Sequence, residues 1–574
     1  MTDRNKNLYS DIAIVLGGAA GQGIQTTESI LSQIFQLEGY HVFAGKEYMS
    51  RVRGGSNSTL IRVGTQRVRA WTDRIDLFFP LDADALLHVQ KRVRPETLII
   101  GDRTTLKTES PMVDVPIAKM ASDIGGPIFS NTIAAGILAG IFEVSRENLE
   151  KYIRKYFSGK APDLIEKNLI AVKSGHEAGV ELRKTKKIPI SLKKPVSPGT
   201  RPLITGADAV GLGAIAGGCN FVSSYPMSPG TGVFTFLAQH CREFGIAVEQ
   251  AEDEICAANM ILGAWYAGAR GLASTSGGGF ALMTEAMSLA GMIESPMVIH
   301  LGQRPGPATG LPTRTEQGDL NLVIYAGHGE FSRIILAPGN LEQAFYLTKR
   351  AFQQADQYQT PVVILTDQYL MDCCSDIDEL DFSDVPSKPA LVETKPDYQR
   401  YAMTETGISP RGIPGWGKGL VGVDSDEHDQ EAHITEDLVL RVQMVEKRLR
   451  KMDFVKKNAP LPDWYGPENS SNLIICWGST LEMAREAVSS FNLQDFAILH
   501  FTQVFPLPDE AKILLKKVKN RILIEGNPTG QFGRLLKQEF GIECEHKIFK
   551  FNGLPFSVEE LGTALQKLRI MEKQ

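Results

Sequence analysis

Phe221-Val-Ser-Ser-Tyr225 reads as a short buried strand, and Tyr225-Pro226-Met227-Ser228-Pro229-Gly230-Thr231 turns it sharply at its end. An acidic run follows, Glu249-Gln-Ala-Glu252-Asp253-Glu254, and opens an apolar, Ala-rich helix. The helix dipole favours acids at such a start, which accounts for two or three of them. Glu254 stands apart, because Ile255 to Ala264 reads as buried and a carboxylate leading into an apolar face wants a partner. One chemical reason to put it there is to hold a proton against a ring nitrogen of a cofactor. Leu272-Ala-Ser-Thr275 is the next strand and enters Ser276-Gly277-Gly278-Gly279. Met297-Val-Ile-His-Leu301 leads to Gln303-Arg304-Pro305-Gly306-Pro307, completed by Thr313-Arg314-Thr315-Glu316-Gln317. An acid at a helix start, a Gly-rich turn and an arginine loop together describe half of a site for an anionic substrate and a cofactor.

Outward from this block the same alternation continues. Helix Ala207–Gly218 carries small residues for close packing, and Arg333–Leu336 and Val362–Thr366 read as further buried strands. Such an order predicts a mostly parallel sheet covered on both faces. Upstream, Ile12–Leu16, Tyr40–Phe43, Ser58–Val63 and Leu98–Asp102 read as strands of a separate α/β unit. In that unit Asn131 to Phe157 reads as one helix, with Asn131 as its N-cap. The lysines and prolines of 176–202 have the composition of an exposed linker. Residues 375–465 are irregular apart from a charged helix at Thr435–Arg450, and Asn472–Cys476, Ala497–His500 and Arg521–Glu525 are strands of a third α/β unit. The expected domains are therefore 1–175, a linker at 176–202, 203–375, a connecting segment at 376–465, and 466–574: a multidomain α/β chain of parallel-sheet units.

The chain has 574 residues, 43% hydrophobic and 22% charged, enough apolar material for several cores. A net charge of −6 offers no global argument for nucleic acid or an acidic membrane. The N-terminus lacks the apolar core of a signal peptide, and no apolar run reaches the ~18 residues of a membrane span, so a cytoplasmic location is expected. Seven scattered cysteines, with no Cys-x-x-Cys, are neither a disulfide framework nor a zinc or iron–sulfur motif. His428 and His433 sit five apart in an acidic loop, a spacing that does not fix both on one face, and no metal site is expected there.

The glycines at 17, 18, 21 and 23 form a strand-to-helix turn of the kind that presents backbone N–H groups to phosphate. Their spacing is wrong for a dinucleotide fingerprint, which leaves another anion contact, such as a CoA phosphate at Gly21 and Gly23, or a tight packing turn. Arg51 and Arg53, before Gly54-Gly55, make a compact cationic loop suited to an anion or to a salt bridge at a domain contact.

Taken together, these blocks resemble the alpha subunit of a 2-oxoacid:ferredoxin oxidoreductase with the gamma domain fused in front. Gly17–Gly23 and Glu47–Gly55 are similar to gamma-domain motifs. Tyr225–Thr231, Glu249–Glu254, Thr275–Gly279 and Gln303–Gln317 are similar to the thiamine diphosphate pyrimidine-binding domain. Gly407–Gly415, Glu427-His428-Asp429 and Glu446-Lys-Arg448 resemble the connection of the fused subtype, and Glu525–Gly533 resembles the transketolase C-terminal-like domain. The resemblance implies that Glu254 hydrogen-bonds the aminopyrimidine of thiamine diphosphate and promotes its imino tautomer. It places Tyr225, Pro226, Ser276 and Gly277 at the cofactor. Ser228, Arg304 and Thr231 fall at the substrate, with Arg304 gripping the 2-oxoacid carboxylate. Ser228 stands where relatives usually carry Thr; the hydroxyl is kept and the methyl lost.

The chain contains no Gly-Asp-Gly with a following Asn pair for Mg²⁺-diphosphate and no cysteine cluster for [4Fe–4S]. The resemblance assigns both to a beta subunit, so the chain is expected to be inactive alone and to work in an (αβ)₂ heterotetramer with CoA and ferredoxin. The fused layout most resembles the 2-oxoglutarate enzymes, with pyruvate or a broader 2-oxoacid range as alternatives. A nucleotide-dependent dehydrogenase and a non-catalytic scaffold are the rivals from other classes. The first lacks its glycine spacing, and the second leaves Glu254, Ser228 and Arg304 without a reason.

Overall fold

The computed structural model describes residues 7–571 except 20, 50–54, 186, 198 and 384–388. Arg51 and Arg53 therefore lie outside the described residues. The chain forms two compact units: Met1–Ile204 with Cys373–Glu379 and Ser557–Glu559, and the remainder.

The first unit is built on an eight-stranded sheet in the order Val113–Asp114, Leu98–Gly101, Leu77–Pro80, Asp11–Ala19, Ser56–Gly64, His41–Glu47, Cys374–Asp376, Leu203–Thr205. Asp11–Ala19 pairs parallel with Leu77–Pro80 and antiparallel with Ser56–Gly64, so the sheet mixes directions. Helix Ser130–Ile141 lies backbone-close on helix Pro162–Lys184. A methyl at Gly136 would stand 2.4 Å from the Val172 carbonyl, and one at Gly179 2.1 Å from that of Ile137. Glycine is needed at both positions because a side chain would force the helices apart.

Two sequence expectations change here. The single helix expected over 131–157 is broken into Ser130–Ile141 and Arg146–Tyr156, and Asn131 is inside the first rather than its cap. Glu143 takes a left-handed backbone at the break, and the Ser145 hydroxyl caps the second helix by accepting from the Asn148 amide. In the lysine- and proline-rich stretch, the preceding helix continues to Lys184, and Ile190–Leu192 is a buried strand paired with Asn7–Tyr9.

The second unit carries two sheets. The larger runs Ala247–Gln250, Phe221–Ser224, Gly271–Ser276, Met297–Gln303, Pro361–Asp367, Ile334–Leu336, Gln503–Phe505. Every pair is parallel except the last. Its central strands are buried along their whole length, as expected of a sheet covered on both faces. Glu249 sits on the edge strand, so the acidic run is not all helical; the helix is Glu254–Tyr266, capped by Asp253 accepting from the Cys256 amide at 2.7 Å. The smaller sheet has the order Asp463–Tyr465, Phe496–Phe501, Asn472–Trp477, Asn520–Glu525, His546–Phe549.

Buried ion pairs hold the long connecting segment in place. Glu294 is fully buried between Lys447 and Lys451 at 2.6 and 2.5 Å, and those cations hold its carboxyl at about 2 against the opposing effect of burial. Arg411, from the turn-rich Gly407–Gly415 run, shares buried Asp356 with Arg270. Arg448 forks onto Glu427 at 2.9 and 2.8 Å. The helix expected at 435–450 is Leu438–Lys457. Among the described residues no single helix is long and apolar enough to cross a membrane.

Candidate active site

Three loops of the second unit leave the carboxyl ends of neighbouring parallel strands, where open α/β sheets place their ligand sites. They are 225–230 after Phe221–Ser224, the glycine turn 277–279 that opens helix Gly277–Leu282 directly after Gly271–Ser276, and 304–319 after Met297–Gln303. Tyr225, Pro226 and Ser228 are exposed, and Thr231 opens helix Thr231–Gln239. The loops touch one another. Arg304 Nη1 donates to the Ser228 carbonyl at 2.6 Å. A methyl at Gly230 would stand 2.7 Å from the Thr275 amide nitrogen, and one at Gly302 would strike the Pro229 ring at 2.5 Å.

Glu254 is 2% exposed, and its Oε1 has no hydrogen-bond partner. Burial raises its pKa from the ordinary carboxyl value. The carboxyl lies against the glycine turn: a methyl at Gly279 would stand 2.4 Å from Oε1, and one at Gly277 would stand 2.3 Å from Asp319 Oδ2. Ser276 Oγ, Arg304 Nε and Asp319 Oδ2 are buried without partners as well. Buried polar atoms are nearly always paired, so four orphans around a side-chain-free turn mark a place shaped for a polar, planar ligand. Asp319 is pushed up to about 6, by burial first and by Glu316 next. Burial also lowers the Arg304 pKa, although its guanidinium stays charged.

The C-terminal sheet shapes the arginine loop. Thr315 N donates to Gly553 O, and Gln317 N donates to Gly526 O at 2.7 Å, while Gly526 N returns a bond to Gln317 Oε1. Asn527 Nδ2 reaches Gln317 O, and Gln531 Nε2 reaches Gly318 O. The Glu525–Gly533 motif is thus a clamp on 315–318. Sequence reasoning missed this clamp and also Asp319. The only local signal at Asp319 is that of an N-cap for helix Leu320–Ile324, yet its side chain makes no capping bond.

Residues 212–447 match the family described as pyruvate flavodoxin/ferredoxin oxidoreductase, thiamine diphosphate-binding, and residues 13–178 match pyruvate ferredoxin/flavodoxin oxidoreductase. A 2-oxoacid:ferredoxin oxidoreductase subunit alpha from Sulfolobus sp. is 33% identical, over 96% of each chain. The chain belongs to the 2-oxoacid:ferredoxin oxidoreductase family. It is an alpha-type subunit of this oxidoreductase family and carries a thiamine diphosphate-binding domain. A 2-oxoglutarate oxidoreductase subunit KorA from Mycobacterium tuberculosis is 29% identical, over 77% of this chain and 68% of that one. Among solved structures, the 2-oxoglutarate:ferredoxin oxidoreductase of Magnetococcus marinus, with 2-oxoglutarate, coenzyme A and succinyl-CoA bound, superposes with a TM-score of 0.91. It is 28% identical and covers 97% of this chain and 99% of its own. The orphaned Oε1 and the turn that a Cβ would fill are compatible with an aminopyrimidine ring.

In the first unit, Gly21 and Gly23 take left-handed backbones before helix Ile24–Leu37. Gly21 lines a cavity of 560 Å³ with Gln22, Leu81, Asp102, Ser130 and Asn131. A methyl at Gly23 would overlap the Asn131 amide at 1.9 Å, so this glycine also serves packing.

Proposed function

We propose that this chain is the alpha subunit of a thiamine diphosphate-dependent 2-oxoglutarate:ferredoxin oxidoreductase. The reaction is 2-oxoglutarate plus CoA plus two oxidised ferredoxins giving succinyl-CoA, CO₂, two reduced ferredoxins and a proton, with carboxylation as its reverse. The observation that carries the reading is Glu254, a buried acid with an orphaned oxygen against a glycine turn whose other side is Asp319, the carboxylate that acts on Arg304. The full-length likeness to a 2-oxoglutarate enzyme supports the substrate; pyruvate or a wider 2-oxoacid range is the second reading.

Thiamine diphosphate, when bound, supplies a carbon nucleophile for the keto group. Glu254 would hold a proton at the ring nitrogen, and its burial favours the protonated carboxyl. Ser276 and Gly277 would hold the ring, and the exposed Tyr225 and Pro226 would lie beside it. Arg304 binds the substrate carboxylate, its free Nε adding a second donor, and Ser228 and Thr231 offer hydroxyls beside it. The Gly21 cavity in the first unit takes part of CoA, and Arg51 and Arg53 are proposed as an anion loop. A beta subunit brings Mg²⁺-diphosphate and [4Fe–4S] in a cytoplasmic (αβ)₂ assembly.

The test is a purified complex with its beta subunit, assayed for CoA-dependent viologen reduction on 2-oxoglutarate and on pyruvate. Activity on 2-oxoglutarate alone is expected. Activity on pyruvate alone would overturn the substrate. Glu254→Gln is expected to lower kcat by about 10²–10³-fold. Unchanged turnover would remove Glu254 from the mechanism.

A further inference from the structure

Beneath the three loops lies a buried hydrogen-bond chain that the mechanism above does not use. Ser274, His300 and Thr366 sit on three neighbouring parallel strands, and Ser274 and His300 are direct register partners. Ser274 Oγ lies 2.8 Å from the Gly230 carbonyl and 2.8 Å from His300 Nδ1, and His300 Nε2 lies 2.8 Å from Thr366 Oγ1. His300 is fully buried, and burial depresses its pKa to about 3, so the ring is neutral. The directions follow from proton count. Ser274 has one hydroxyl proton, and the Gly230 carbonyl can only accept it. His300 Nδ1 must then donate to Ser274, which leaves Nε2 bare to accept from Thr366.

The far end of this chain is the loop that holds the arginine. Gly230 closes 225–230, and within that loop the Ser228 carbonyl accepts from Arg304. The Pro229 ring rests on Gly302, two residues from His300 on the same strand. Resting on the function proposed above, we infer that His300 is a positioning residue for substrate carboxylate binding. Its one-way chain Thr366 to His300 to Ser274 to Gly230 fixes the Ser228 loop and, through it, the Arg304 guanidinium. Arg304 binds the carboxylate in ground and transition states alike, so loosening the loop raises KM and leaves kcat nearly unchanged.

The experiment uses the whole complex and compares His300→Phe, His300→Asn and His300→Gln. Asn can place a donor where Nδ1 stands; Gln can place an acceptor where Nε2 stands. His300→Phe is expected to raise KM for the 2-oxoacid about tenfold. His300→Asn should recover most of the loss and His300→Gln little of it. Hydrogen exchange of segment 225–232 should quicken in step with KM, a reading that needs no turnover. Unchanged KM and exchange in His300→Phe would overturn the inference, as would equal behaviour of Asn and Gln. Should His300→Phe fail to fold, Ser274→Ala decides in its place, with the same rise in KM and exchange expected. A wild-type complex silent on every 2-oxoacid would instead bring down the proposed function, and this inference with it.

Discussion

Replacing Asn527 by alanine tests whether the C-terminal clamp is a real constraint. Asn527 is fully buried. Its Nδ2 donates to Gln317 O at 3.1 Å and to Glu525 Oε1 at 2.9 Å. Its Oδ1 accepts from the amides of Thr529, Gly530 and Gln531 at 3.1, 2.8 and 3.3 Å. Not all five bonds count equally. Thr529 is exposed and Gln531 half-buried, so water can replace those partners, and Glu525 keeps bonds from Trp477 and Phe532. The Gly530 N–H is buried, and the Gln317 carbonyl loses its Asn527 donor in a buried place. At about 1–3 kcal/mol for each such group, the loss comes to about 3 kcal/mol. Trp477 reports locally, because its indole Nε1 donates to Glu525, the carboxylate beside the clamp. With a urea slope of roughly 2 kcal/mol/M, the tryptophan-monitored midpoint should fall by about 1–2 M. A fall below about 0.3 M would refute the claim that the motif is a clamp.

Gly279→Ala should leave the chain folded but displace the Glu254 carboxyl, costing about a hundredfold in kcat of the complex; full activity would remove the crowding argument. Asp319→Asn tests the sign of a raised carboxyl. The native state holds the proton up to about 6 and the unfolded chain only to the ordinary value, so stability should fall as pH rises from about 4 to 6. In Asp319→Asn that fall should be absent from urea midpoints measured across the range. Glu294 has the opposite sign: held at about 2, it contributes stability above the ordinary carboxylate range that is lost as pH falls toward 2. Glu294→Gln should abolish that acid limb and cost on the order of 3 kcal/mol by stranding Lys447 and Lys451.

The parallel sheet and Glu254 were legible in the sequence because each is written locally: apolar runs of strand length, and an acid at the head of an alanine-rich helix. The break at Phe142–Ser145 was not, since apolar residues continue through it, and the left-handed Glu143 and the Ser145 cap that make it are seen only in the structure. Cys374–Asp376 could not have been placed either, because it joins its sheet antiparallel to His41–Glu47 from more than three hundred residues away. Asp319 was hidden by resembling a cap. His300 was hidden inside a strand that reads as apolar, and its meaning lies in Ser274 and Thr366, which only the register brings beside it.

The clamp has a consequence for how substrate range can drift. Between the C-terminal sheet and the arginine loop, most bonds run from or to main-chain atoms of Thr315, Gln317, Gly318, Gly526 and Gly553. Main-chain bonds are indifferent to which side chain stands at a position. Substitutions that leave these main-chain atoms in place can therefore change the loop's surface while the frame beneath it keeps its shape. The loop behaves as a fixed socket, and Gln317, Asn527 and Gln531 are side chains that cannot be exchanged without loosening the socket itself.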